Sequence, residues 1–252
     1  MQAMQTEFNL APGEGLFCEP SSVVRMERIV KGLPVVSQEE ADQVLKSAVE
    51  YAKGLPKWDN SDKTILSLFD ESGVWSAPYV HAGYNVIQVD IQNGVDVLDL
   101  GIDYFADCGI DDVYGVLAAC PCTHFANSGA RWFADKDAAG VTQEGIDLVN
   151  RTLDIVDYFQ PEFWAIENPM GRIKTLCGLP SARLYFQPHH FGDPYTKRTQ
   201  LFGFFNANLR PCNVLPTEGS RVHRLRGDVP EQKKARSLTP EGFAYAFFEQ
   251  NQ

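Results

Sequence analysis

Apolar runs in this 252-residue chain end on residues that can do chemistry. Val113–Ala119 leads into Cys120-Pro121-Cys122, and Phe163–Ile166 into Glu167-Asn168-Pro169. Thr64–Phe69 leads into Asp70-Glu71-Ser72-Gly73, and a further run from Asn85 closes on Asp90. A thiol just past a strand meets helix amides that favour its thiolate, so Cys122 is a candidate nucleophile. An acid at a buried strand end, as at Glu167, suits a proton donor. An acid closing a second strand, as Asp90 does, can hold ribose hydroxyls. Each has a plainer use: an inert buried thiol, a carboxylate bonded to backbone amides, a helix cap, a tight turn at Gly73. Asp96 and Asp99 are most cheaply turn residues. Cys120 and Cys122 have one residue between them and no second close Cys or His pair, a poor match to zinc; no metal is expected.

Parallel strands separated by helices would bring these residues together. Ser37-Gln-Glu-Glu40 is a capping box opening a helix that Gly54-Leu-Pro56 stops. Ser76–Ala82 reads as a short helix, and Val141–Phe159 as a long one with Ile146, Val149, Leu153 and Val156 on one face. Leu201–Phe205 reads as a strand, followed by a loop-rich stretch and a helix from Pro240 to Glu249. The alternation predicts an α/β fold with a doubly wound, mainly parallel sheet, whose ligands bind at the carboxyl ends of its strands. Three segments are expected: an N-terminal arm and helix (1–57), a core (58–205), and a short basic loop with a C-terminal helix (206–252).

The apolar fraction of 44% excludes a disordered chain, and no apolar run is long enough to span a membrane. Met1–Glu19 lacks the pattern of a signal peptide and reads as a loose arm. Six cysteines are too few and scattered for a disulfide framework, so reduced thiols in a cytoplasm are expected. The net charge of −11 speaks against a polyanion partner, but it is unevenly spread. Residues 197–236 hold nine basic and three acidic side chains, a local +6 beside −17 elsewhere. That asymmetry fits either a polyanion-facing surface or a solvated, salt-bridged face.

Taken in order, these motifs resemble the cytosine-5 DNA methyltransferases, especially short phage-type members. Leu68-Phe69-Asp-Glu-Ser-Gly73-Val-Trp75-Ser76 is similar to the family's first motif, which cradles S-adenosyl-L-methionine. The resemblance implies an S-adenosyl-L-methionine-dependent methyltransferase (Rossmann-like) fold. It implies Phe69, Asp70, Ser72, Gly73, Trp75, Asp90, Ile91, Asp96 and Pro121 as cofactor-binding residues. Pro121-Cys122-Thr-His-Phe125 resembles the nucleophile loop, Glu167-Asn168-Pro169 the motif of the catalytic glutamate, and Pro194-Tyr-Thr-Lys197-Arg198-Thr199 the base-flanking motif. Cys122, Glu167 and Lys197 are thereby implied as catalytic, and Asn168, Arg198, Thr199 and Arg236 as substrate-binding. Arg236-Ser-Leu-Thr239-Pro240 resembles the segment that follows the target-recognition region.

The pattern departs from the family at Glu71 and Val74, where glycine is favoured, and at Lys197 and Thr199, where two arginines are usual. Lysine keeps a charge but loses the planar fork. Only some 36 residues separate the base-flanking motif from Arg236, too few for the usual target-recognition domain, so low sequence specificity on DNA is expected. Other readings are a modifier of free deoxycytidine nucleotides or RNA, a variant donor beside Glu71, or a non-catalytic acidic interaction protein.

Overall fold

A computed structural model describes residues 23–225 and 229–252. The arm expected over Met1–Glu19, and the charges of Arg226 and Asp228, lie outside the described residues. The strands are β1 (Val24–Arg25), β2 (Thr64–Leu68), β3 (Asn85–Val89), β4 (Gly115–Ala118), β5 (Phe163–Pro169), β6 (Leu184–Phe186) and β7 (Thr199–Phe204). The helices are α1 (Met26–Val30), α2 (Gln38–Gly54), α3 (Ala77–His81), α4 (Ile102–Asp107), α5 (Phe133–Ala138), α6 (Val141–Phe159), α7 (Ile173–Leu176), α8 (Arg221–Arg224), α9 (Pro230–Ser237) and α10 (Glu241–Phe248).

The seven strands form one sheet in the order β1-β6-β7-β5-β4-β2-β3, parallel except for β7. Successive side chains of a strand point to opposite faces, and both faces here are covered. Leu66, Leu68, Val116, Ala118, Trp164, Ile166 and Phe202 join the core with Val149 and Val156 of α6. Their neighbours Ile65, Leu117, Phe163, Ala165 and Leu201 join the core with Tyr79 of α3 and with α10. This is the doubly wound, mainly parallel sheet that the alternation of strands and helices predicts.

Capping explains the start of α2: Ser37 Oγ accepts from the Glu40 amide at 3.2 Å, and Glu40 Oε2 accepts from the Ser37 amide at 2.8 Å. The buried face of α6 is rotated from the expected one. Thr142, Gly145, Val149, Thr152, Ile155 and Val156 are buried, while Ile146 and Leu153 flank the core. Small residues take that face because Phe125 and His124 press on it; a Cβ at Gly145 would meet their side chains at 3.1 and 3.2 Å.

Periodicity left β1, β6 and α9 unread. Two- and three-residue strands carry no usable alternation. Helix α9, PEQKKARS, has no apolar stripe, although Pro230 in its first turn favours a helical start. The positions 57 and 205 do not divide the packing. Phe243, Phe247 and Phe248 of α10 are fully buried, and Phe247 meets Trp75, Phe163 and Phe205 at ring-centroid distances of 5.9, 6.1 and 5.4 Å.

Phe247→Ala should therefore lower unfolding stability by about 3–5 kcal/mol, the usual scale for a buried Phe-to-Ala cavity. Urea denaturation followed by circular dichroism measures it; a loss below about 1 kcal/mol would show that α10 is peripheral.

Candidate active site

Register lines up the strand ends. Leu68 pairs with Val89 on one side and Ala118 on the other, and Ala118 pairs with Ile166. The residues that follow (Phe69, Asp90, Ala119 and Glu167) consequently share one rim. At about 4.8 Å per strand spacing, Asp90 and Glu167 stand roughly 14 Å apart along it. Strand β5 runs further than its apolar core suggests, because β7 pairs with it through Glu167, Asn168 and Pro169. As β7 is antiparallel, its beginning lies at this same rim and brings Lys197 there.

Side chains alternate on entering β7. Lys197 and Thr199 are buried, and Arg198 between them is exposed. Lys197 Nζ lies 3.5 Å from Glu167 Oε1, each side chain only 6% exposed. That Glu167 oxygen has no hydrogen-bond partner, so the contact is an ion pair without a bond directed onto the oxygen. Lys197 Nζ also donates to the Leu238 carbonyl at 3.4 Å. Asn168 Nδ2 donates to the Cys120 carbonyl at 2.9 Å, tying β5 to the start of the cysteine loop.

The two cysteines diverge. Cys120 is buried, its Sγ 3.9 Å from Thr152 Oγ1, and burial pushes its thiol up to about 12. Cys122 is partly exposed and opens a 3₁₀ turn, Cys122–His124. Its thiol titrates above the ordinary range, contrary to the lowering expected from helix amides. Burial is the largest cause, Lys197 opposes it, and the Glu167 carboxylate adds to it. A single 3₁₀ turn offers too little oriented backbone to outweigh desolvation. Arg236, at the end of α9, also acts to lower the Cys122 thiol, and Leu238 just beyond that helix accepts from Lys197.

The loop after β2 is tightly organised. Phe69 has φ of 60° and Gly73 φ of 69°; a Cβ at Gly73 would meet Gln88 Nε2 at 2.7 Å. A left-handed phenylalanine is unusual and is held there by the turn around it. Asp70 accepts from Ser67, Ser76, Ser72 and the Gly73 amide at 2.8, 2.9, 3.2 and 2.8 Å. Its carboxylate is thus occupied in shaping the loop. Trp75 is fully buried against Phe243 and Phe247, so its expected contact with a cofactor is corrected to a core role. Thr199 is likewise fully buried and donates to the Lys197 carbonyl at 2.9 Å, with no surface left for a substrate. Asn168, also fully buried, positions the cysteine loop. Arg198 turns to Glu27, 3.5 Å away.

Asp90 accepts from the Gln92 amide at 2.8 Å through Oδ1, and Asp96 from Leu98 at 3.0 Å. Ile91 beside Asp90 is 66% exposed, an apolar side chain left at the rim. Pro121 is exposed as well. A part-buried carboxylate next to an uncovered apolar side chain fits a ribose and a flat base. Lys234 of α9 reaches Glu71 at 2.7 Å, so α9 connects the loop after β2 with the Cys122 side of the rim.

A curated protein of Frog virus 3 (isolate Goorha), named as a DNA (cytosine-5)-methyltransferase, is 30% identical over 158 residues. The match takes in 55% of this chain and 69% of that protein. The chain belongs to the DNA (cytosine-5)-methyltransferase family. No family model matches the sequence. A solved chain encoded within an E. coli prophage, described as a DNA modification methyltransferase, aligns with a TM-score of 0.41 and 17% identity. That alignment covers 57% of this chain and 47% of the solved one, so this chain spans under half of its length.

Within the family pattern, the base-flanking strand delivers one buried ammonium where two guanidinium groups are usual. Arg172 escaped notice in the sequence because its partner is distant: it forks onto Asp137 at 2.6 and 2.7 Å, thirty-five positions away. Gly171 carried a usable signal. A Cβ there would overlap the Phe125 carbonyl, so only glycine lets β5's exit pack on the cysteine loop.

Alkylation of Cys122 by iodoacetamide should keep rising with pH above the ordinary thiol range near about 8.5. Lys197→Met removes the cation that favours the thiolate and should move the curve to still higher pH. Tandem mass spectrometry of the Cys120–Cys122 peptide reads both sites; a curve unmoved, or at lower pH, in the variant would show that the ammonium does not favour this thiolate.

Proposed function

We propose that the chain transfers a methyl group from S-adenosyl-L-methionine to carbon 5 of cytosine in DNA, through a covalent Cys122 adduct and with little sequence context. The observation that carries this reading is the meeting of Cys122, Glu167 and Lys197 at one rim. Carbon 5 of cytosine is too weak a nucleophile to take a methyl group unaided. The Cys122 thiolate forms a bond to carbon 6, and the electrons of the 5,6 double bond become available at carbon 5. The Glu167 oxygen that lacks a hydrogen-bond partner carries a proton in this step and gives it to ring nitrogen 3, which offsets the negative charge that develops there as the thiolate adds; the proton returns when Cys122 leaves. Lys197 favours the thiolate and holds the Glu167 carboxyl in place.

Phe69, Asp90, Ile91, Asp96 and Pro121 would hold S-adenosyl-L-methionine, which supplies an electrophilic methyl group to carbon 5. A base then removes the carbon 5 proton, and the electron pair left behind re-forms the double bond and expels Cys122. A cytosine stacked in a duplex hides carbon 6, so the target is single-stranded or flipped out. Arg236 and Arg198, with the cations of α9, are the groups for phosphate. The short segment 206–240 leaves few side chains to read bases, which supports weak context dependence.

Nucleoside mass spectrometry of a single-stranded, cytosine-containing oligonucleotide incubated with protein and S-adenosyl-L-methionine should show 5-methyldeoxycytidine. Cys122→Ala should lower its formation by roughly 10⁴-fold or more, the scale for loss of a covalent nucleophile. Glu167→Gln should cost about 10²- to 10⁴-fold. Methylation of deoxycytidine monophosphate but not of the oligonucleotide would refute DNA as substrate.

A further inference from the structure

Ten positions beyond Cys122, the Trp132 side chain is 51% exposed, at the end of the 3₁₀ stretch Asn127–Trp132. The Arg131 guanidinium lies 5.1 Å from the centroid of its ring. A single exposed tryptophan is unremarkable by itself. The mount beneath this one is not. Arg172 holds Asp137 by two bonds of 2.6 and 2.7 Å, donates from Nε to the His124 carbonyl at 3.0 Å, and lies 3.7 Å over the Phe133 ring. Hydrogen bonds from Arg172 and Thr142 hold Asp137 down at about 2, so the fork stays charged over any working pH. Lys136 donates to the Thr123 carbonyl at 2.6 Å, and the Asn127 amide to the Met170 carbonyl at 2.9 Å. The segment from Cys122 to Ala138 is therefore fixed at both ends to the nucleophile turn and to the exit of β5.

At a 3₁₀ rise of about 2 Å per residue, the ten positions from Cys122 to Trp132 span roughly 20 Å of backbone. A stacked strand advances about 3.4 Å per nucleotide, so that reach covers at most about six steps from the target base. A flat indole with a cation over it, rigidly held and water-exposed, suits the face of an unpaired base beside a phosphate. Between His124 and Asp137, with Arg172 included, three cations (Arg131, Lys136, Arg172) face two acids (Asp135, Asp137), a local excess of positive charge on a chain of net −11.

We infer that Arg131 and Trp132 form a stacking platform for an unpaired nucleobase flanking the target cytosine. This rests on the DNA reading above and adds to it a surface that holds the strand beside the target base. Stacking tolerates any base, which agrees with weak context dependence.

The test is fluorescence anisotropy of a labelled twelve-nucleotide oligothymidylate, which has no cytosine to react. Trp132→Ala should weaken binding about 5- to 100-fold, the span for one stacked base, and Trp132→Phe should recover most of it. Trp58→Ala, at a side chain 78% exposed on the turn before β2, should leave binding unchanged. Calorimetric binding of S-adenosyl-L-homocysteine should be the same in all four proteins. Wild-type affinity in Trp132→Ala, in a protein that still methylates DNA, overturns the platform alone. A wild-type protein that binds S-adenosyl-L-homocysteine but no oligonucleotide overturns the DNA reading and the platform with it.

Discussion

Lys197 and Glu167 are both buried, 3.5 Å apart, in a place where neither charge would be tolerated alone. Their pairing depends on topology more than on local sequence. Strand β7 enters antiparallel between β5 and β6, so its first residues arrive at the level where β5 ends. A parallel β7 would carry Lys197 to the opposite end of the sheet. Cys122 joins them because β4 lies beside β5, and because Asn168 binds the Cys120 carbonyl across that boundary. An acid, a cation and a thiol are thus set by three neighbouring strands.

The same rim has a second half. Strands β2 and β3 end in Asp70, whose carboxylate is consumed in shaping its loop, and in Asp90, which caps one turn and remains accessible. Helix α9 joins the halves through Lys234 on Glu71 and Arg236 near Cys122. The ion pair to Glu71 is exposed and weak in itself. Its importance is positional: it ties a basic helix to the loop after β2. Below the sheet, α10 closes the core with three buried phenylalanines, so the chain after β7 both completes the fold and frames the site.

Much of this was legible in the sequence because strand ends carry both a period and a punctuation mark. The runs ending at Phe69, Asp90, Cys120 and Glu167 gave the right strands, and register put them at one level. Helix α6 was found with its bounds but with its buried face turned, since Gly145 and Thr152 do not look like core residues until Phe125 and Cys120 press on them. Trp75 and Thr199, expected from the sequence to face ligands, are fully buried. Residue type could not show which way a side chain faces. The Arg172–Asp137 fork and the Lys234–Glu71 contact join residues far apart in the chain, and no local pattern announces such pairs. The thiol of Cys122 illustrates competing terms: helix amides and cations favour the thiolate, but desolvation is larger.

Covalent capture addresses the centre of the account most directly. A cytosine bearing fluorine at carbon 5 has no proton there to lose after methyl transfer, so the bond from carbon 6 to the attacking sulfur cannot break by elimination. Denaturing mass spectrometry of the protein with such an oligonucleotide and S-adenosyl-L-methionine should show a stable protein–DNA conjugate attached at Cys122, absent in Cys122→Ala. A protein that methylates ordinary cytosine yet leaves Cys122 unmodified by the fluorinated strand, or carries the conjugate on another residue, would contradict it.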